Sequence, residues 1–183
     1  MESVLHTKYK QEVIPALKEE FGFKNVMEIP KIEKVVLNVG YGRHVKDNAY
    51  IEMVEKTLTT ISGQKPVHNK SKKSISNFKT REGMNIGVSV TLRGEKMYEF
   101  LYKYINLALP RVRDFRGLKR DCFDGKGNCA IGMKEHVAFP EVSADNLNKV
   151  HGLEVCITTT AKTDEQARSL LTKLGFPFKE ANK

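Results

Sequence analysis

Seven cations, Lys56, Lys65, Lys70, Lys72, Lys73, Lys79 and Arg81, fall between positions 56 and 81 with no Asp or Glu among them. Like charges at this density repel unless an anion neutralises them, and nucleic acid is the polyanion whose condensed counterions Lys and Arg release. The interleaved residues decide whether such a stretch can do more than attract. Gln64, His68, Asn69, Asn77 and several serines can hydrogen-bond to sugars, phosphates and exposed base edges, and Phe78 offers a stacking face. The competing reading is a solvated basic loop, which charge runs usually are. The density of the run and its direct passage into the alternating VSVTLR weigh against it.

Other chemistry is thinner. Gly40-Tyr41-Gly42 follows a strand-like segment, but Val45 stands where a dinucleotide fingerprint needs its third glycine, so a tight turn is expected. Asn38, just before it, is either a turn-supporting amide or a polar contact on a sheet face. The five histidines are scattered without ligand-like spacing, which predicts mostly surface residues and no metal site. Glu135-His136 has no nucleophile beside it, and Asp124 belongs to a turn where its side chain has structural work. Cys122, Cys129 and Cys156 form an odd set without CxxC, which predicts free thiols in a reducing compartment rather than a disulfide framework or a zinc site. Phe115, between Arg113 and Arg116, either stacks on a base or anchors packing, with packing the commoner role. No catalytic constellation and no cofactor site emerge.

Composition agrees. The 183 residues carry 31 Lys and Arg against 22 acids, a formal charge of +9 and a pI near 9.4. That balance selects nucleic acid or an anionic membrane surface as partner. The length suits one domain, and the 40% apolar content suits a folded chain. MESVLHTKYK has no apolar core of a secretory signal, and no stretch approaches the roughly 18 apolar residues of a membrane span. A soluble protein that stays inside the cell is expected.

The elements that must position these residues can be read in order. Ser3 can cap a helix with Leu5, Tyr9, Val13, Leu17 and Phe21 spaced four apart, and Pro15 should kink or shorten it. KIEKVVLNVG reads as a strand ending at Gly40, and its imperfect parity suggests a bulge or two covered faces. Asp47 opens a second helix through Ile51, Val54, Leu58 and Ile61, stopped by Gly63. A short strand, a long basic loop and the strand Ile86 to Arg93 follow. There Ile86, Val88, Val90 and Leu92 point inward, while Gly87, Ser89, Thr91 and Arg93 form a small, polar, basic face open to a ligand. A third helix after Gly94 buries Met97, Phe100, Leu101, Tyr104, Ile105 and Ala108 and ends at Pro110. Arg111, Arg113, Arg116, Lys119 and Arg120 make a second basic patch, FDGKGN a turn, and FPEVSADNLNKVHG a loop with a brief helix. LEVCITTTA is a strand, and Thr163 with Gln166 makes a capping box for a last helix closed by Gly175. The expected fold is α+β: two layers, a largely antiparallel sheet with helices on one face, and a long basic loop.

IPKIEKVVLNVGYG, ISGQKP, KKSISNFKTREGMNIGVSVTLRGEKMYEFL, LPRVRDFRG, FDGKGN and ITTTAKTDEQARSLL together resemble the bacterial form of large-subunit ribosomal protein number five, from about Tyr9 to Phe178 in unbroken order. The resemblance implies a single domain over 1–183, with an N-terminal helix and a protruding loop near 70–86. It also implies a non-catalytic constituent of the large ribosomal subunit in the cytoplasm, a monomer within the ribosome. Such a protein binds 5S rRNA and helps attach it to the central protuberance. By motif match, the 5S rRNA contacts fall on Asn38, Gln64, Lys65, Thr91 and Arg93. The loop is sent toward P-site tRNA, with Lys72, Lys73, Lys79 and Arg81 on phosphates. Arg111, Arg113 and Arg116, with the neighbourhood Lys134 to His151, are left to 23S rRNA or to a small-subunit head protein at an intersubunit bridge. Arg43 in GYGRH stands where relatives usually have an acid. Asn77 and Asn85 replace a Gly and a Pro, which alters the backbone preferences of the loop.

Two other classes compete. A nucleic-acid-processing enzyme would need a metal cluster, an activated nucleophile or a phosphate loop. A peripheral membrane binder would need a basic amphipathic helix with bulky apolar anchors. The chain offers none of these.

Overall fold

Alternating apolar residues in five short segments build the sheet. The computed structural model describes residues 3–142 and 150–179. Its strands are β1 (Ile32–Gly40), β2 (Val67–Lys70), β3 (Asn85–Leu92), β4 (Cys129–Met133) and β5 (Leu153–Thr159). They pair antiparallel throughout, in the order β2-β3-β1-β5-β4. Val35, Leu37, Val39, Val88, Val90, Leu92, Ile131, Val155 and Ile157 turn toward the helices and are buried. The uneven parity of β1 has a local cause. Its register with β5 shifts between Ile32 and Lys34, so Ile32 and Val35 both face inward across a bulge.

The helices lie on that one face, as the α+β expectation requires. α1 (Val4–Lys8) passes through a π turn at Tyr9–Val13 into α2 (Ile14–Phe21), burying Leu5, Tyr9, Val13 and Leu17. Pro15 therefore does not break the helix. A proline ring strikes the carbonyl four residues back, and the wider turn just before it makes room. The same device recurs. α4 (Gly94–Lys103) runs through a π turn at Tyr104–Ala108 into α5 (Leu109–Arg111), continuing past the Pro110 that was expected to end it.

Caps explain most of the other boundaries. α3 (Asn48–Ser62) starts where the Asp47 carboxylate accepts from the Tyr50 amide at 3.1 Å. α6 (Asp164–Leu174) starts where Thr163 Oγ1 accepts from the Gln166 amide at 3.4 Å. The returning arm of that box lands one residue early, on the amide of Lys162. Ser3 departs from expectation. Its side chain makes no capping bond, and its amide donates to Glu95 Oε2 at 2.9 Å, mooring α1 to the start of α4. The brief helix expected in FPEVSADNLNKVHG falls largely on residues 143–149, outside the described residues; His136–Ala138 just before it forms one 3-10 turn.

Candidate nucleic-acid interface

The face of the sheet away from the helices carries Lys34, Val36, Asn38 and Gly40 from β1, Gly87, Ser89 and Thr91 from β3, and Glu154, Cys156 and Thr158 from β5. Strand register sets them in rows. Thr91, Val36, Cys156 and Ala130 make one row, and Ser89, Asn38, Glu154 and Gly132 the next. Short side chains keep this surface shallow, so a rigid polyanion can come close to the backbone and be read by hydroxyls and amides. At Gly87 the backbones pack closely: a Cβ added there would sit 3.1 Å from the Val39 carbonyl oxygen.

Asn38 lies on this face rather than supporting the turn. Its Nδ2 donates to Glu154 Oε2 at 3.4 Å, which decides between the two sequence readings. Gln64 is exposed just past α3, its Nε2 donating to the Thr91 carbonyl at 3.4 Å, so Gln64 and Thr91 are neighbours at the edge of the face. Asn69 joins them by accepting from Ser89 Oγ at 3.2 Å. Lys65 is exposed, and Arg93, one residue beyond β3, reaches Glu33 Oε1 at 3.3 Å with more than half of its side chain in solvent. The face itself balances Lys34 against Glu154, so the expected basic surface is really a nearly neutral polar floor with cations along its rim.

His68 belongs elsewhere. It turns to the helix side, where Tyr41 Oη lies 3.2 Å from its Nδ1 and Glu55 Oε2 lies 3.5 Å from its Nε2. Period-two alternation within β2 puts it opposite Asn69.

The long basic loop is an ordered hairpin arm. The Ser71 amide donates to the Met84 carbonyl at 2.8 Å, and the Gly83 amide donates back to the Ser71 carbonyl at 3.0 Å. Farther out, Ile75 and Thr80 exchange both backbone bonds, at 3.1 and 3.2 Å. The tip closes with Lys79 at φ 53 donating to the Ser76 carbonyl, so the left-handed residue is Lys79 and not the neighbouring Asn77. Lys72, Lys73, Lys79 and Arg81 are exposed, and among the described residues none of them is in an ion pair. Phe78 is 75% exposed at the tip. A cleft of about 640 Å³ along the arm gathers Lys46, Lys79 and Arg81 with Ser74, Ser76 and Thr80, cations and hydroxyls of the kind that hold phosphate.

The second basic patch sits on the turn after α5. Arg111, Arg113 and Arg116 are exposed, with Arg113 Nε 4.0 Å from Asp114 in a pair almost wholly in solvent. Phe115 is half-buried against the core, so it anchors packing and does not offer a stacking face. Asp124 does hold its turn. Its carboxylate accepts from the amides of Lys126 and Asn128 and from Asn128 Nδ2, and these bonds keep its pKa below the usual carboxylate range.

Lys34, Lys46 and Thr158 were not singled out in the sequence. Lys34 and Thr158 had a signal: each shares parity with Asn38 or Glu154 along its own strand. Two of the five histidines depart from the surface expectation, while His6, His44 and His68 are not buried. His136 and His151 are buried, and their rings stack with centroids 3.9 Å apart. They are 15 positions apart in the chain, so spacing concealed the pair.

A half-open antiparallel sheet, a polar floor and two sets of exposed cations set this chain in the class of RNA-binding proteins. The comparisons then fix the family. A family model described as ribosomal protein L5 matches residues 25–81, and one for the ribosomal L5P family C-terminus matches residues 85–178. The large ribosomal subunit protein uL5 of Caldanaerobacter subterraneus subsp. tengcongensis is 56% identical over 176 residues, covering 96% of this chain and 98% of that protein. The uL5 of Lactobacillus johnsonii is 55% identical over 178 residues, 97% and 99% of the two chains. That of Thermoanaerobacter sp. strain X514 is 54% identical over 176 residues, 96% and 98%. The chain belongs to the ribosomal protein L5 family. It is a structural, non-catalytic constituent of the large ribosomal subunit. No helix among the described residues is long and apolar enough to cross a membrane.

Proposed function

We propose that the protein is one RNA-binding domain, a monomer within the ribosome, that docks 5S rRNA on the open sheet face and helps attach it to the central protuberance. Asn38, Gln64 and Thr91 supply hydrogen bonds to sugars and base edges, while Lys65 and Arg93 on the rim meet phosphates. The observation that carries this is the shallow polar face, on which Asn38, Ser89 and Thr91 stand among glycine and alanine with no helix of the described residues above them. Such a floor suits the wide, shallow minor groove of an A-form helix, where hydroxyls and amides reach the 2′-hydroxyls.

The hairpin arm serves a second RNA, P-site tRNA, through Lys72, Lys73, Lys79 and Arg81, with Phe78 as an apolar tip. Arg111, Arg113 and Arg116, together with 134–151, face 23S rRNA or a small-subunit head protein across the intersubunit bridge; residues 143–149 of that stretch lie outside the described ones. A gel-shift titration with 5S rRNA, against tRNA as competitor, tests the first assignment. Arg93→Ala and Gln64→Ala should weaken the complex while Lys72→Ala with Lys73→Ala leaves it in place. Equal displacement by any folded RNA, with equal losses in all three variants, would remove it.

A further inference from the structure

Cys122 and Cys129 are seven positions apart, and the fold brings their Sγ atoms to 2.7 Å, with the Cys129 thiol donating to Cys122. Both are free. Their approach is not incidental, because the turn between them is held from three sides. Phe123 and Cys129 form an antiparallel bridge. Asp164, in the first turn of α6, accepts from the amides of Gly125 and Gly127 at 3.1 and 2.8 Å. Thr159 Oγ1, at the end of β5, donates to the Gly127 carbonyl at 2.6 Å.

The two sulfurs differ in setting. Cys122 is half-buried and Cys129 is buried. The hydrogen bond from Cys129 lowers the Cys122 pKa, and the Arg168 guanidinium, stacked over Phe123 at 5.6 Å, adds to this. The same contact, together with burial, pushes the Cys129 thiol up. A half-buried sulfur whose thiolate is favoured, beside a buried one that keeps its proton, is the arrangement of an attacking and a resolving thiol.

We propose that Cys122 and Cys129 are a thiol–disulfide site that closes an intramolecular disulfide by exchange with a low-molecular-weight disulfide such as oxidised glutathione. The Cys122 thiolate attacks one sulfur of the small disulfide, forming a mixed disulfide and expelling one thiolate, which takes up the proton Cys122 gave to solvent. Cys129 then gives up its proton and attacks the Cys122 sulfur. The second small thiolate leaves and is protonated in turn. The chain loses two hydrogens, the two electrons go to the small disulfide, and two small thiols result. Cys156 stays outside the reaction, because it points to the opposite face of the sheet from Cys129.

The test uses the full chain, exposed to oxidised glutathione and then alkylated. Alkylatable thiols should fall from three to one, with Cys156 the survivor. Trypsin cuts at Lys126 between the two cysteines, so the peptides Asp121–Lys126 and Gly127–Lys134 should migrate as one species that dithiothreitol separates. Cys122→Ser should leave both remaining thiols alkylatable. Cys129→Ser should hold glutathione on Cys122 as a stable mixed disulfide. Three alkylatable thiols after treatment of the wild-type chain, or a linkage through Cys156, would overturn the proposal; because both readouts are on the wild type, they stand even if a variant fails to fold.

Discussion

Asn38 Nδ2 lies 3.4 Å from Glu154 Oε2 across the β1–β5 ladder, a contact between two side chains that strand register sets on the open face. The amide shields a carboxylate that would otherwise face RNA unmodified. Replacing it with a second carboxylate, Asn38→Asp, removes the donor and sets like charges side by side on the docking floor. Affinity for 5S rRNA should fall about tenfold or more, near 1.4 kcal/mol, while the thermal midpoint changes little because the site is open to water. A filter-binding titration beside a circular-dichroism melt checks both. Unchanged affinity would take Asn38 out of the interface.

Arg93 and Glu33 form an exposed pair on the rim, and exposed pairs contribute little to stability. Arg93→Ala should therefore leave the melting temperature alone and cost 5S rRNA affinity roughly tenfold, the value of one charge-assisted hydrogen bond. The arm behaves oppositely. Lys72→Ala with Lys73→Ala should spare 5S rRNA binding and weaken tRNA contact in assembled ribosomes, which chemical footprinting of the tRNA reads directly.

If about five phosphates are neutralised across the rim, the logarithm of the 5S rRNA binding constant should fall with the logarithm of salt concentration at a slope of roughly −4. Arg93→Ala should make that slope shallower by about one. A flat response would mean that the polar floor alone holds the RNA.

The alternation in GVSVTLR separates Thr91 from Val90 and Leu92, so the open face of β3 is legible in the sequence. β1 was harder. Its bulge between Ile32 and Lys34 shifts parity, so Lys34 went unnoticed although it shares the face with Asn38. The π turns before Pro15 and Pro110 leave no mark in the sequence, because the feature that tolerates proline is a backbone register. The order in the arm was hidden for a related reason. Its ladder runs through backbone groups of Ser71, Ile75, Thr80 and Met84, while the charges that dominate the sequence suggest a long basic loop. Meetings between distant residues, His136 with His151 or Lys103 with Glu141 at 2.5 Å, follow only from the fold.

Gly127 shows how tightly the FDGKGN turn is seated. It has φ +81, and a Cβ there would lie 2.8 Å from the Ala161 carbonyl oxygen. Gly127→Ala meets both backbone strain and a backbone clash that no side-chain rotation relieves, a cost of roughly 3 kcal/mol. Urea unfolding should show the midpoint falling with the slope unchanged. Gly132→Ala, where a Cβ meets nothing within 4 Å, is the control and should stay near wild type.

The stacked pair His136 and His151 makes stability depend on pH. Burial lowers both pKa values. For His151 the value falls to about 4, with His136 adding to the effect and the hydrogen bond to the Gly152 carbonyl opposing it. The folded state therefore keeps both rings neutral at a pH where the unfolded chain, with ordinary values near 6.5, has taken up protons. The unfolded state binds more protons below that value, so stability rises with pH through this window and is lost on acidification. Between pH 7.5 and 5, His151 alone should cost about 2 kcal/mol. The paired variant His136→Phe with His151→Phe keeps two flat rings in place without a titrating nitrogen. Its urea midpoint should vary much less over the same range, above the region where carboxylates such as Glu20 and Asp124 titrate. A wild-type midpoint that is level from pH 7.5 to 5 would mean the two imidazoles reach solvent in the folded protein.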